Sequence, residues 1–454
     1  MKNTTGLLVC LGLLAFASDA FAAGFHLPGH GVRPLGRAGA FVASGGQNLN
    51  SLWHNPANLA GKSEFELTVD LALINLSFEF QRAPREMPNG EIRTYEPVQN
   101  DAPIKTDPQV LIGGPTGVEG LAWAFGVYAP YLSGHRFPED GAQRYVQVDN
   151  DSSVLGYFHL ALAYEVGKRF RLGAGVQWVP ASFNFITVTS GYTGLYGDPE
   201  DRDLDILSEV TVTSLTSFSG NAGIWVGIAP FLEFGAAVQL PVTFDDEDAK
   251  LRVRLPSSPA FNNAALDNDS VSSSMGFPWM ARAGLRYVGA GWDLELMVNY
   301  ENWNSFSEIA ATPNDIAVTG VPGIGAIPVG PLSIQQDWTD TVGVHIGSDI
   351  ELSPAWVVRA GYGFELGAIP DERYSVFLAD GDKHMLAGGV SWRLGAWSLD
   401  AGLAAYLMPD RSITNSKVRQ INPTDADNEL TLVVGNGEYS QTYIAAGLGV
   451  NVEF

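Results

Sequence analysis

The sequence is nearly free of cysteine. Its single cysteine, Cys10, lies in an apolar stretch close to the N-terminus. The residue before it is the bulky Val9 rather than a small residue, which argues against a lipid-anchored cysteine. Without a second cysteine the chain can form no intramolecular disulfide bond and no thiolate metal site, and large exported proteins of bacterial envelopes are often free of disulfides.

Long apolar runs are also lacking. After the N-terminal stretch 6–16, no window holds the roughly 18 apolar residues that a membrane-spanning helix needs. The stretch itself is too short to span a bilayer, and it follows Lys2 and precedes Ala20-Phe21-Ala22, an A-x-A cleavage site. We therefore predict that residues 1–22 are a secretory signal peptide and that the mature chain begins at Ala23.

Positive charge is scarce as well. The 454 residues include 26 Lys and Arg against 50 Asp and Glu, which gives a formal net charge of −24. Such an acidic chain is poorly suited to binding nucleic acid or the anionic lipids of an inner leaflet. We predict no nucleic-acid partner.

The motifs of metal and catalytic chemistry are missing from the sequence. None of the seven histidines lies in an H-E-x-x-H motif, and the one pair with H-x-x-x-H spacing, His26 and His30, has Pro28 and Gly29 between its members, so no helix presents two metal ligands on one face. The acidic stretches 198–205 and 245–248 do not match a calcium-binding loop, so solvated loop charge is the favoured interpretation. No Ser-His pair or paired carboxylates can be picked out, and we predict no metal, no cofactor and no enzyme activity.

What the chain does contain is regular alternation of apolar with polar or small residues, most clearly in 291–303, 397–407 and 444–454. In the first of these, Asp293, Glu295 and Asn299 alternate with apolar even-numbered positions. Alternation over about ten residues is typical of a transmembrane barrel strand, which turns apolar side chains to lipid and polar or small ones to the lumen. Strands of soluble sandwiches also alternate, but they are usually nearer five or six residues.

About fourteen such strands are predicted, so the fold class is an all-β transmembrane antiparallel barrel over residues 62–454. The predicted strands are 64–82, 104–114, 120–131, 154–167, 169–184, 209–228, 231–244, 273–289, 291–303, 338–351, 354–365, 383–394, 396–407 and 440–454. Their connections alternate between short turns and long polar loops, as in outer-membrane barrels. An even strand number places both termini in the periplasm, and the terminal Phe454 is the kind of aromatic end that barrel-assembly machinery engages.

Residues 36–61 follow neither a strand nor a helix pattern. Asn55 precedes a proline, which disfavours the helical conformation, and it can cap a turn that Pro56 opens. Gly61 suits a left-handed end, so we predict one helical turn, 56–60, in an otherwise irregular segment. The many small residues allow backbone to pack against backbone. The segment is therefore either packed inside a larger structure or an ordered N-terminal arm.

An ordered set of motifs resembles the FadL family of outer-membrane transporters for long-chain fatty acids and aromatic hydrocarbons. The motifs are Ala23-Gly24-Phe25, Leu35-Gly36-Arg37-Ala38, Asn55-Pro56-Ala57, residues 300–306, residues 337–341, and Arg359-Ala360-Gly361-Tyr362 with Ile369-Pro370. The resemblance implies a fourteen-stranded barrel whose lumen is plugged by an N-terminal hatch, here residues 23–61. It also implies that Gly36, Arg37, Asn55, Pro56 and Ala57 fix the fold of that hatch.

The resemblance further implies a kinked third strand that leaves a lateral opening towards the membrane. Here the third strand carries Gly126 and then Ala129, Pro130 and Tyr131. Proline cannot donate a ladder hydrogen bond and is usually excluded from paired strands. The alternative is that Pro130 merely ends the strand at a loop.

The ligand implied by the family is hydrophobic, and we predict that lumen-facing strand positions enclose it together with Phe41, Leu49, Leu52 and Trp53. The stretches 179–185 and 306–313, where fatty-acid members are expected to carry basic residues, contain no Lys or Arg, and the second contains Glu308. Burying a carboxylate without a cation costs several kcal/mol. Neutral hydrocarbons are therefore slightly favoured over fatty acids, although Arg136 or Arg144 from distant loops could supply the charge.

Three function classes remain open at this stage. The leading one is passive transport of a hydrophobic small molecule by a monomer in the bacterial outer membrane, surrounded by outer-membrane lipid and lipopolysaccharide. The others are an outer-membrane enzyme such as a lipase, and a non-transporting adhesin or structural barrel. A plug inside the lumen argues against the last, because it is useful only where passage must be controlled.

Overall fold

The computed structural model describes residues 25–26, 29–44, 46, 48–132, 134–194, 197–306, 308–321, 326–422, 425 and 429–454. The predicted signal peptide and Ala23-Gly24 lie outside these residues. In the described part of the chain, no helix has both the length and the apolar character required to traverse a lipid bilayer.

Fourteen long antiparallel strands of the described residues form a closed barrel, because each strand pairs with the next and the last pairs with the first. The strands are β1 (Glu66–Arg82), β2 (Lys105–Pro115), β3 (Leu121–Tyr128), β4 (Tyr157–Val166), β5 (Phe170–Trp178), β6 (Phe218–Ala229), β7 (Leu232–Gln239), β8 (Met280–Val288), β9 (Asp293–Glu301), β10 (Thr341–Ser353), β11 (Trp356–Glu365), β12 (Lys383–Leu394), β13 (Trp397–Ile413) and β14 (Gly437–Glu453). The predicted fold class and strand number are confirmed.

The alternation in the sequence sorts side chains between the two faces of the wall. On β9, Leu294, Leu296 and Val298 are 39–50% exposed on the outside, whereas Glu295 and Asn299 are at most 3% exposed inside. An apolar exterior over a polar interior is what a barrel in lipid requires.

Aromatic side chains ring the end of the barrel where the connections are short, which we call the short-turn end. Trp356 and Trp392 stack with ring centroids 5.7 Å apart on neighbouring strands. Phe65 stacks on the C-terminal Phe454 at 6.0 Å, next to the closing β1–β14 seam. Such a girdle is typical of the height where a bilayer meets water. The opposite end carries the long connections, including 83–104, 129–156, 179–217, 240–279 and 302–340, and we call it the long-loop end.

A second sheet of seven strands rises above β4–β10 at the long-loop end, and we call it the upper sheet. In order of pairing its strands are Leu332–Gln335, Glu308–Pro313, Ser270–Phe277, Val242–Arg254, Asp205–Ser214, Ala181–Ser190 and Val154–Leu155. The predicted strands 154–167, 169–184, 209–228, 231–244 and 273–289 ran through both sheets and are wrong at their upper ends. Pro180, Pro241 and Pro278 lie at three of the breaks, where a residue without an N–H cannot continue the ladder.

The N-terminal segment, whose described residues are 29–44, 46 and 48–61, lies inside the barrel, and almost all of these residues are buried. It contains α1 (Val32–Gly36), α2 (Ser51–His54) and a 3₁₀ turn, Pro56–Leu59. The turn at Pro56 is confirmed, but the prediction of a single turn is wrong, since two more short helices precede it.

Glycines of the wall allow this segment to approach closely. A Cβ at Gly361 of β11 would lie 2.2 Å from the carbonyl carbon of Arg37, and one at Gly235 of β7 would lie 2.3 Å from the carbonyl oxygen of Val42. Because real Cβ atoms do not come that close, the segment can approach the wall at these two positions only because the wall residue there has no side chain. Backbone-to-backbone packing, which the small residues of the segment predicted, therefore extends to the wall as well.

Candidate functional site

Arg37 joins the N-terminal segment to the wall near the short-turn end. Its Nη1 lies 2.8 Å from Asp293 Oδ1 of β9 and 2.6 Å from Asp349 Oδ1 of β10. Its Nε donates to the carbonyl of Ala40, and Nη2 donates to Ser44 Oγ. The guanidinium is 1% exposed, so one buried cation holds the fold of the segment and its attachment to two strands. Gly36, its neighbour, packs against Gly389 of β12.

Asn55 likewise joins the segment to the wall, near the segment's other end. Its Oδ1 accepts from the N–H of Ala57 at 3.1 Å, which caps the turn that Pro56 opens. Its Nδ2 donates to the carbonyls of Val42 and of Ile224 on β6, at 2.8 and 3.0 Å. Gly61 then adopts φ 78°. The predicted cap and left-handed end are confirmed, and the amide also links the segment to the wall.

The third strand leaves the wall after Tyr128. The β2–β3 ladder ends with Val110 opposite Val127, and residues 105–109 of β2 have register partners only on β1 among the described strands. We call this interruption the wall gap. Beyond it the chain continues through Ala129 and Pro130 to the short strand Tyr131–Leu132, which pairs with Phe25–His26 instead of with β2.

The predicted opening residues therefore divide into two groups. Ala129, Pro130 and the fully buried Tyr131 lie where the chain turns inward. Gly126 does not: it lies in the paired part of β3, opposite Leu111 and His159. A Cβ there would fall 2.4 Å from Leu111 Cδ2 and 2.8 Å from Leu52 Cδ2. Gly126 thus accommodates the N-terminal segment rather than the kink.

A small cavity of about 30 Å³ separates the wall gap from the N-terminal segment. Residues 29–32 and Leu35 line it on one side, and Asp107, Gln109, Ala129 and Pro130 line it on the other. His30 Nδ1 lies 3.1 Å from Asp107 Oδ2 across this space. The His30 ring also packs on Tyr128 at 4.9 Å. The segment is therefore held against the unpaired part of β2.

A chain of hydrogen bonds connects the kink to the N-terminal segment on the β4 side. Tyr128 Oη lies 2.5 Å from His159 Nδ1, and His159 Nε2 lies 3.0 Å from Asn221 Oδ1. Asn221 Nδ2 then donates to the carbonyl of Leu52 at 2.8 Å. The sequence indicated only an isolated polar lumen residue at His159, because its partners lie 31 and 62 residues away.

Above the segment lies an aromatic cluster built from Trp53, Tyr128, Tyr131, Tyr157 and Phe277. The ring of Trp53 meets Tyr128, Tyr131 and Tyr157 edge-on at 5.8–6.3 Å, and Tyr131 stacks on Phe277 at 4.0 Å. Buried apolar side chains continue the cluster up to the loops, among them Phe183, Phe244, Trp303 and Phe377.

Of the four predicted ligand residues, Leu49, Leu52 and Trp53 belong to this cluster. Phe41 does not, and its ring packs against His54 at 5.5 Å, so its place beside the ligand stays a prediction. The irregular backbone there has no period from which the direction of a side chain could be predicted.

The loop arginines considered as partners for a carboxylate are already paired. Arg136 contacts Asp149 and Asp151 at 3.0 and 2.6 Å, and Arg144 contacts Asp205 at 2.7 Å. The side chain of Glu308 lies outside the described residues.

The sequence reading missed Arg282, a cation on the lumen face of β8. It is 5% exposed, and its guanidinium carbon lies 5.1 Å from the ring centroid of Trp53. A basic residue at an inward position of an alternating strand was the signal that could have found it.

Solved structures share this architecture. A FadL homologue from Pseudomonas aeruginosa matches with a TM-score of 0.73 at 18% identity, over 95% of this chain and 99% of that one. The Pseudomonas putida toluene transporter TodX gives 0.61 at 12% identity, over 90% and 94%. The CymD monoaromatic hydrocarbon channel gives 0.60 at 15% identity, over 95% and 99%. At these identities the likeness establishes the fold.

The family itself is established from the sequence. A comparison with curated proteins gives no match. The family described as outer membrane protein transport protein (OMPP1/FadL/TodX), however, matches residues 13–454, nearly the whole chain. The resemblance inferred from the motifs is thereby confirmed, and the chain belongs to the OMPP1/FadL/TodX family of outer membrane transport proteins.

Proposed function

We propose that the protein carries neutral hydrophobic small molecules, such as aromatics or alkanes, passively into the cell through the outer membrane. The observation that supports this most directly is the aromatic cluster between the N-terminal segment and the long loops. Transfer of apolar surface from water into such a cluster is favourable by roughly 25 cal/mol per Å². That is enough for micromolar binding of a small hydrocarbon after the cost of association.

The exit in this proposal is lateral, through the wall gap between β2 and β3. A hydrophobic ligand loses its burial energy if it leaves into periplasmic water, whereas it keeps that energy if it passes sideways into lipid. Ala129, Pro130 and Tyr131 take the chain inward at the level of the gap, beside the cavity that Asp107 and Gln109 line. Pro130 is then part of a wall opening rather than only a strand end.

The remaining assignments are part of the same proposal. Residues 1–22 are removed on export, residues 23–61 act as a hatch, and residues 62–454 form the membrane barrel. Both termini and the short turns face the periplasm. Phe454, which is 67% exposed, is offered to the assembly machinery. The protein works as a monomer in contact with lipopolysaccharide and phospholipid, and it is a transporter rather than an enzyme.

Uptake of long-chain fatty acids is a second candidate, and Arg282 is the observation that favours it. Its guanidinium touches the aromatic cluster at Trp53 and could pair with a carboxylate there. Against this, that face of the guanidinium is stacked on the indole, and the stretches 179–185 and 306–313 add no further cation.

Direct binding measurements distinguish the two candidates. Purified barrel in detergent at about pH 8, where a carboxylate is charged, is titrated with a neutral aromatic or alkane and with oleate of matched apolar area. We expect the neutral ligand to bind at least as tightly. If oleate binds tenfold tighter, about 1.4 kcal/mol, and Arg282→Gln abolishes the difference, the fatty-acid candidate is correct. A hydrolase screen on the same sample tests the enzyme alternative.

A further inference from the structure

The wall gap has two carboxylates behind it and no Lys or Arg among the described residues that line the cavity. Asp107 of β2 and Asp70 of β1 both line the cavity behind it, together with the imidazole of His30 and the amide of Gln109. Asp107 contacts His30. Asp70 accepts from the N–H of Val32 at 3.0 Å and from Gln109 Nε2 at 3.3 Å. Within the described part of the chain, neither carboxylate has a Lys or Arg nitrogen within ion-pair distance.

The cations closest in the chain are bound to other carboxylates. Lys105, two residues before Asp107, contacts Asp151. Arg33, which follows the cavity-lining residues 29–32, has its Nε 3.0 Å from Asp400 Oδ2. Neither Lys105 nor Arg33 therefore forms an ion pair with the two cavity carboxylates.

Unpaired polar atoms surround the same space. Among the described residues, Oδ1 of Asp70, Oδ1 of Asp107 and Nε2 of His30 are buried without a hydrogen-bond partner. Buried polar groups are normally satisfied by protein or by ordered water. Such acceptor atoms beside the proposed exit path favour a passing ligand whose head group is neutral or donates a hydrogen bond. They disfavour a ligand whose head group is itself an anion.

We infer that Asp107, supported by Asp70, is a specificity-determining residue at the lateral exit: it excludes anions, so hydrophobic molecules with a neutral head group pass and those with a carboxylate are held back. Like charges at short range in a medium of low dielectric repel strongly. Selection therefore occurs at the exit and does not depend on what binds in the aromatic cluster, where Arg282 could still attract an acid. The inference rests on the proposed lateral path.

The test compares two ligands with the same twelve-carbon chain, 1-dodecanol and dodecanoate, at about pH 8. Protein-dependent uptake is measured in cells that carry the protein in the outer membrane, after subtracting uptake by cells without it. Asp107→Asn keeps the size of the side chain and its contact with His30 but removes the charge. Asp107→Ser removes the charge with a smaller side chain, in case the amide perturbs folding. Asp248→Asn, at an exposed position of the upper-sheet strand Val242–Arg254, removes the same charge from a residue that does not line the cavity.

Wild-type protein and Asp248→Asn should both take up dodecanol faster than dodecanoate. Both Asp107 variants should raise the dodecanoate-to-dodecanol ratio about tenfold, as expected for removal of one unit charge beside the path, with dodecanol uptake unchanged. If the Asp107 variants still transport dodecanol and the ratio is unchanged, the exclusion of anions by Asp107 is refuted, whereas the proposed transport function is not. Failure of the wild-type protein to take up either ligand would instead refute the proposed transport function.

Discussion

At the scale of single residues, the side chain of Arg37 joins the N-terminal segment to strands β9 and β10. Its guanidinium is buried between Asp293 and Asp349, with Glu295 3.8 Å away. Removing the cation leaves Asp293 with Arg286 and Asp349 with Arg359, and it takes from Glu295 the guanidinium that lies nearest to it. Breaking a buried pair on one side costs about 3–5 kcal/mol, so Arg37→Ala should loosen the N-terminal segment and lower the temperature of thermal unfolding.

The matched control for Arg37→Ala is Arg393→Ala. Arg393 pairs with Glu351 at 3.1 Å, and both side chains are about half exposed. Exposed pairs are worth at most about 1 kcal/mol, so this variant should unfold almost as the wild type does. Equal unfolding temperatures for the two variants would show that Arg37 is not what anchors the segment.

Residues whose role depends on near neighbours in sequence could be predicted, and those whose partners are distant could not. The cap at Asn55 follows from the proline after it and was predicted correctly. Arg37 was found through a motif, without its partners. His30, Asp107 and Arg282 were not linked to a site, because the His30–Asp107 contact joins residues 77 apart and no local pattern encodes it.

At the scale of elements, the barrel strands were predictable because each repeats the same two-residue period. The period could not mark where a barrel strand passes into the upper sheet, since the alternation continues on both sides of the breaks. Prolines 180, 241 and 278 were the available signal. The helices α1 and α2 have five and four residues, which is about one turn, too short for a 3.6-residue period to show.

The N-terminal segment is the element whose removal is most informative. It packs against wall glycines on strands from β2 to β14, so its removal would empty the lumen beside them. Deletion of residues 23–61 should leave a barrel that still inserts and remains β-rich by circular dichroism. In liposomes it should conduct small solutes far better than the intact protein. Conductance equal to that of the intact protein would contradict the hatch assignment.

At the scale of the whole molecule, the long loops are joined over the lumen by a cluster of opposite charges. Glu200 contacts three arginines of the first long loop and its strand, with Arg82 at 2.6 Å, Arg85 at 3.0 Å and Arg93 at 3.1 Å. Tyr95 Oη also donates to Glu200. The cluster connects the loops 83–104 and 179–217 and closes one side of the mouth.

The charge state of this cluster makes the closure sensitive to acid. Burial alone would raise the pKa of Glu200, but Arg82 and its other partners outweigh burial and lower it. The pKa of Asp198 is lowered in the same way, because the N–H of Glu200 and the guanidinium of Arg85 offset burial. A group with a lowered folded-state pKa stabilises the fold fully above its unfolded pKa, and that contribution disappears as the pH falls through the folded value.

The loops should therefore stay joined at neutral pH, begin to loosen as the pH falls below about 4, the ordinary range of carboxylates, and separate fully only below the lowered folded-state pKa values of Glu200 and Asp198. Opening can be followed by protease cleavage within 83–104 in a barrel whose strands remain intact. Glu200→Gln should already give the open pattern at pH 7, because Arg82 then loses its carboxylate partner and Arg85 and Arg93 keep only Asp198, at a cost of about 3 kcal/mol. Glu119→Gln, at an exposed turn of the short-turn end, should behave like the wild type. If cleavage of the wild type by an acid-active protease is the same at pH 7 and at about pH 2, below the ordinary pKa of both carboxylates, the Glu200 cluster does not hold the mouth closed.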